Sequence, residues 1–188
     1  MKKIFLLIIA LLLHTNCTAQ NIYPLNTSAL NKPQGSYFKD INNELNPYIG
    51  KWKTAIGNKL IMIKIFKRYK APIEFLSKNY YQDMIVIQYE IKDKNGNLLE
   101  TTLNNPIENK RSLISGFTIE EDTGRLICVY YGKQCSLGNG FVYLKKQGNN
   151  QLLWSYYPQA ILVTKENENK CSGEIYLPEG ENIVFTRQ

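Results

Sequence analysis

Leu60-Ile61-Met62-Ile63-Lys64-Ile65-Phe66-Lys67-Arg68-Tyr69 and Met84-Ile85-Val86-Ile87-Gln88-Tyr89-Glu90-Ile91 are the two stretches whose period decides the fold. Ile61, Ile63 and Ile65 share one face in the first, against Lys64 and Arg68; Ile85, Ile87, Tyr89 and Ile91 share one in the second, against Gln88 and Glu90. Apolar residues at every second position mark a strand with one buried face, because successive side chains of an extended chain point to opposite sides. Lys94-Asn95-Gly96-Asn97 follows, and Asn-Gly tolerates the positive φ of a tight turn, so residues 98–102 are expected to pair back on their predecessor. Two more hairpins are expected, 112–120 with 125–133 and 140–147 with 151–157. Short pieces at 174–177 and 182–187 flank Pro178-Glu179-Gly180. One brief helical turn, with Asp40 as its cap, precedes Pro47. About ten short strands in up-and-down succession predict an all-β domain, an antiparallel barrel, with a β-sandwich as the alternative.

Outside this body the chain changes texture. Lys2 and Lys3 precede an apolar run at 4–13, too short for the ~20 residues that span a bilayer, and His14-Thr15-Asn16-Cys17 follows. The organisation read from this is a signal peptide at 1–16, a tether at 17–35 rich in Asn, Pro, Ser and Thr, and a single domain at 36–188. Cys17 resembles the acylated cysteine of bacterial lipoproteins, which implies a periplasm-facing protein held to the membrane through its lipid alone. Ordinary cleavage after Ala19 or Gln20 is the other reading, giving a soluble periplasmic or secreted protein. No acidic residue follows Cys17 until Asp40, so an acidic surface-export tag is missing.

Cleavage before Cys17 leaves 172 of the 188 residues and removes Lys2 and Lys3, so the formal charge falls from +7 to +5. That excess is scattered, and nucleic acid is set aside as a partner. The richest basic cluster, Lys64, Lys67, Arg68 and Lys70, reads as a solvated strand face. An oxidising compartment permits disulfides. Cys128 sits in an apolar run and reads as a small buried hydrophobe, whereas Cys135 and Cys171 lie in polar, glycine-bearing loops and are expected to pair.

Gly50-Lys51-Trp52 on the first barrel strand and Arg187 on the last resemble the lipocalin and calycin signature. The resemblance implies that Trp52 closes one end of a barrel and that Arg187 packs across its ring. A guanidinium over an indole face contributes about 0.5 to 2 kcal/mol. The run Tyr37-Phe38-Lys39-Asp40-Ile41-Asn42-Asn43 leading to Gly50-Lys51-Trp52-Lys53 also resembles an uncharacterised family of small exported Bacteroidetes lipoproteins, as do the loop cysteines and the ending at 182–188.

Loss of the leader removes His14, the chain's one histidine. Ser-His-Asp and Cys-His catalysis and His-bearing metal sites then have no imidazole, and no phosphate loop or nucleophile elbow is present. The expectation is a non-enzymatic barrel with no catalytic residue, metal or cofactor, binding a small apolar or amphipathic ligand. Ile85, Ile87, Tyr89, Phe141, Tyr143 and Trp154 are the expected cavity residues, on strand parity alone. A protein-interaction or inhibitor module of the envelope is the alternative. A carbohydrate-active enzyme built on paired carboxylates, such as Glu120 with Asp122 or Glu90 with Glu100, ranks last. Oligomeric state is not legible.

Overall fold

A computed structural model describes residues 19–107, 113–161, 171 and 173–188, so the leader, Cys17 and His14 lie outside the described residues. Eleven strands are described: β1 (Ile22–Pro24), β2 (Tyr37–Lys39), β3 (Gly50–Ile56), β4 (Lys59–Phe75), β5 (Lys78–Asp93), β6 (Leu98–Thr101), β7 (Ile114–Ile119), β8 (Leu126–Tyr130), β9 (Gly140–Gln147), β10 (Gln151–Pro158) and β11 (Gly180–Arg187). Eight of them form a closed antiparallel barrel in the order β5-β4-β3-β11-β10-β9-β8-β7, with β7 returning to β5. Neighbours along the chain are neighbours in the sheet, as an up-and-down barrel requires. Closure leaves no sheet edge around the body of the barrel, which removes the unpaired backbone groups that an open sheet exposes.

Inward positions follow the expected alternation. Ile61, Ile63 and Ile65 of β4 and Ile85, Ile87, Tyr89 and Ile91 of β5 are buried in one continuous cluster with Trp154, Tyr156 and Phe185. Gly116 is required on β7, since a Cβ there would sit 2.7 Å from Cys128 Sγ and 2.8 Å from Ile85 Cγ1. The Asn-Gly turn forms as expected, Gly96 taking φ +89°, and β6 pairs back on β5.

Three expectations need correction. The sheet strands reach further than the alternation: β4 and β5 continue as a hairpin through residues 66–83, where Lys70 at φ +50° and a register shift between Arg68 and Ala71 break the period. The pairing of β3 with β4 ends at Ile65, so this hairpin projects from the barrel. The segment at 17–35 is no tether from Asn21 onward. β1 pairs in parallel with β2, β2 pairs in parallel with β5, and Leu25 is buried in the core. Residues 174–177 are not a strand; they lie as irregular chain against one barrel end.

A buried polar cluster anchors the projecting hairpin. Asp83 accepts Tyr37 Oη at 2.6 Å, Lys70 N at 3.0 Å and Asp40 N at 3.1 Å. Asp40 in turn accepts Glu44 N and Leu45 N, but it does not cap a helix as expected, since the 3-10 turn here runs Asn46–Tyr48 through Pro47 with Leu45 at its N-cap. Asp40 also pairs with Lys67 Nζ at 2.7 Å. Lys67 therefore leaves the solvated basic face to which the reading of the cluster assigned it, because a buried carboxylate needs a compensating charge.

Candidate functional site

The six expected cavity residues divide. Ile85, Ile87, Tyr89 and Trp154 point inward, but they pack into the filled core rather than around a cavity. Phe141 and Tyr143 point outward, Phe141 being 41% exposed, because β9 turns Gly140, Val142 and Leu144 to the interior. Glycine is needed at 140, where a Cβ would lie 2.2 Å from Tyr157 O. The outward rings pack instead on the barrel wall, Phe141 tilted against Tyr143 at 6.2 Å and Tyr143 edge-on to Tyr157 at 5.9 Å, with Arg125 over Tyr143 at 4.6 Å.

The concave site lies outside the barrel. It is a cleft of about 470 Å³ with three walls. The projecting hairpin supplies Pro72, Ile73 and Phe75; the N-terminal segment supplies Leu25 and Phe38; and the outer faces of β7 and β8 supply Phe117 and Val129, with Tyr131 just past the end of β8. Arg68, Glu74, Gln82 and Ser115 add polar groups to the lining. Gln82 Nε2 is held by Phe117 O at 2.8 Å, and Arg68 Nη1 donates to Ile107 O at 3.2 Å. An apolar cleft of this size with a few fixed polar groups has the physical form of a small-molecule site.

At one end of the barrel Trp52 is fully buried, its Nε1 donating to Tyr48 O at 2.9 Å. The Arg187 guanidinium lies 5.1 Å from the Trp52 ring centre and donates to Ile49 O at 2.9 Å, and Lys146 Nζ lies 4.2 Å from the same ring. Arg187 and Trp52 are direct register partners across the β3–β11 seam. Gly50 passes close under the guanidinium, a Cβ there falling 3.3 Å from Arg187 Nη2.

The opposite end carries the disulfide Cys135–Cys171, with Cα atoms 5.3 Å apart, as the loop positions of these cysteines predict. Cys128 is buried, as expected of it, and burial pushes its thiol up. Trp154 Nε1 donates to Pro178 O at 2.9 Å, and Lys133 Nζ donates to Glu174 O at 2.9 Å, so residues 174–178 are held across this end. Beneath them Tyr89 donates to Glu100 Oε1 at 2.7 Å and lies 3.3 Å from Tyr130 Oη, while Tyr156 donates to Gly138 O. Glu100 also pairs with Lys133 at 2.6 Å.

Burial pushes the phenols of Tyr89, Tyr130 and Tyr156 above the ordinary tyrosine range, and at the Trp52 end it pushes Tyr48 up to about 12. The sign follows from linkage. Below pH ~10 both folded and unfolded phenols are protonated and contribute nothing; above it the unfolded chain loses protons first. The urea midpoint is expected to begin falling near pH 9, where the Cys128 thiol ionises in the unfolded chain but not in the folded one, and to fall more steeply above about pH 10, by about 1.4 kcal/mol of stability per pH unit for each such group. An unchanged midpoint above that pH, with tyrosinate absorbance rising in the folded protein, is the contrary result.

The carboxylates once paired by sequence do not converge. Glu120 is held at its turn by Thr123 and Arg125. Glu100 is the register partner of inward-facing Ile91, whereas Glu90, next along β5, faces outward and pairs with Lys92. Among the described residues no group of three or more His, Cys, Asp or Glu side chains could hold a metal.

Fold and site together define a closed eight-stranded antiparallel barrel with a filled interior and a cleft on its outer wall. Over its whole length, residues 1–188, the chain matches a family of unknown function, DUF6705, and it belongs to that family. No curated protein and no solved structure matches it.

Proposed function

We propose that this chain is an exported, non-catalytic binding protein of the cell envelope that holds a small amphipathic molecule in the lateral cleft. The observation that carries the reading is the cleft itself: about 470 Å³, walled by aromatic and aliphatic side chains, beside a barrel interior already occupied by its own core. Arg68 and Glu74 give the lining one cation and one anion, so an apolar body with a polar head group fits best. The Cys135–Cys171 bridge supports an oxidising compartment, and Cys17 is the residue that acylation would modify.

Anilinonaphthalene sulfonate, an apolar ring system with an anionic group, serves as the probe. Ser115 lines the cleft from β7 and is half-buried, so Ser115→Trp fills the cleft without entering the core. Probe affinity is expected to fall at least about tenfold in Ser115→Trp, because the apolar surface that the probe would cover is already covered. Fluorescence enhancement undiminished in that variant places the probe elsewhere and overturns the cleft as the site.

A further inference from the structure

The tip of the projecting hairpin carries apolar side chains where a turn ordinarily carries polar ones. Phe75 and Lys78 are the last paired residues of β4 and β5, and Leu76-Ser77 forms the two-residue turn between them. Both turn residues stand in the left-handed region, Leu76 at φ +48° and Ser77 at φ +60°. Asn-Gly fills such a turn without strain; leucine does not. Leu76 is nonetheless 69% exposed, and Phe75 beside it is 44% exposed. A strained position that displays a large apolar side chain to water gains nothing within the fold.

The surroundings of the tip share its character. Leu30 and Ile22 are exposed on the segments next to it, Tyr80 Oη fixing Lys32 O at 3.2 Å and Gly35 N bonding Asn79 O at 2.8 Å. Lys78 stands at the tip and Lys32 on the neighbouring segment, with Glu74 as the acidic neighbour on the hairpin, while Lys70 lies at the hairpin base with its Nζ over the rings of Tyr37 and Tyr81. The chain also enters the fold here, Gln20 Nε2 donating to Gly35 O at 2.7 Å. Cys17 is two residues upstream of Ala19, a reach of about 7 Å of extended chain.

From these features we propose that the hairpin tip docks on an anionic lipid surface, Leu76 and Phe75 entering the interface while Lys32 and Lys78 meet lipid phosphates. Apolar side chains backed by lysines are what such a surface takes up. Its orientation sets the cleft, which Phe75 also lines, beside the bilayer. Leu76 and Ser77 do not line the cleft, so the docking stands or falls apart from ligand binding.

Sedimentation uses the chain from Ala19, which carries every described strand and the whole core. The vesicles are one part phosphatidylglycerol to two parts phosphatidylcholine, with phosphatidylcholine alone as the neutral control. The unaltered chain is expected to sediment with the anionic vesicles and to be released by salt. Leu76→Asn with Ser77→Gly relieves the turn, so its melting temperature is expected to rise while vesicle affinity falls about tenfold or more. Lys32→Glu with Lys78→Glu is expected to lose a similar factor on anionic vesicles alone. Affinity retained in the Asn-Gly variant, equal sedimentation with neutral vesicles, or self-association through the tip without sedimentation overturns the proposal.

Discussion

Cys135→Ser with Cys171→Ser is expected to lower the unfolding free energy by about 4 kcal/mol. The bridge joins residues 36 positions apart, and closing a loop of that length removes about this much conformational freedom from the unfolded chain. A loss of this size is a large part of the stability of an ordinary domain. The folded state changes too, because the bridge ties the turn after β8 to the segment that Lys133 and Trp154 hold across the barrel end. Urea unfolding of the oxidised protein, the reduced protein and the double variant measures it. The reduced protein and the double variant should coincide, and a shift below about 1 kcal/mol would mean that the unfolded chain is already constrained there.

Trp52→Ala is expected to cost about 3–5 kcal/mol, the range for truncating a fully buried tryptophan. The void would lie under Arg187 and Lys146, and Tyr48 O would lose its indole donor. Arg187→Ala removes the stacked cation and the bond to Ile49 O but leaves the core filled, so about 1–2 kcal/mol is expected. The two losses should not add, because with Trp52 gone the guanidinium has no ring to cover. Chemical denaturation of the two single variants and the double variant measures the coupling; strictly additive losses would mean that the stacked pair contributes no more than its separate contacts.

The barrel was legible where one face met oil and the other met water. Ile61, Ile63 and Ile65 and the β5 face from Ile85 to Ile91 declare their side by alternation, and Asn95-Gly96 declares its turn. β9 misled because Phe141 and Tyr143 look like core residues, whereas the interior at that height has room only for Gly140, Val142 and Leu144. The projecting hairpin escaped notice because its stability comes from Asp83, whose partners Tyr37, Asp40 and Lys70 are scattered along the chain. The cleft was illegible for a related reason. Its walls come from three segments brought together by parallel pairing of β1 and β2 beside β5, and parallel pairing leaves no local turn signature to read.

The β3–β11 seam has a bearing on how fast the protein forms. Its bond from Arg187 to Ile49 joins residues 138 positions apart, and two register pairs, Thr186 with Lys53 and Arg187 with Trp52, connect the strands. So distant a contact is found late in the search, which places folding in the range of milliseconds to seconds typical of such topologies. A nascent polypeptide lacking residues 180–187 cannot complete the cylinder, and β3 and β10 keep open edges until those residues arrive.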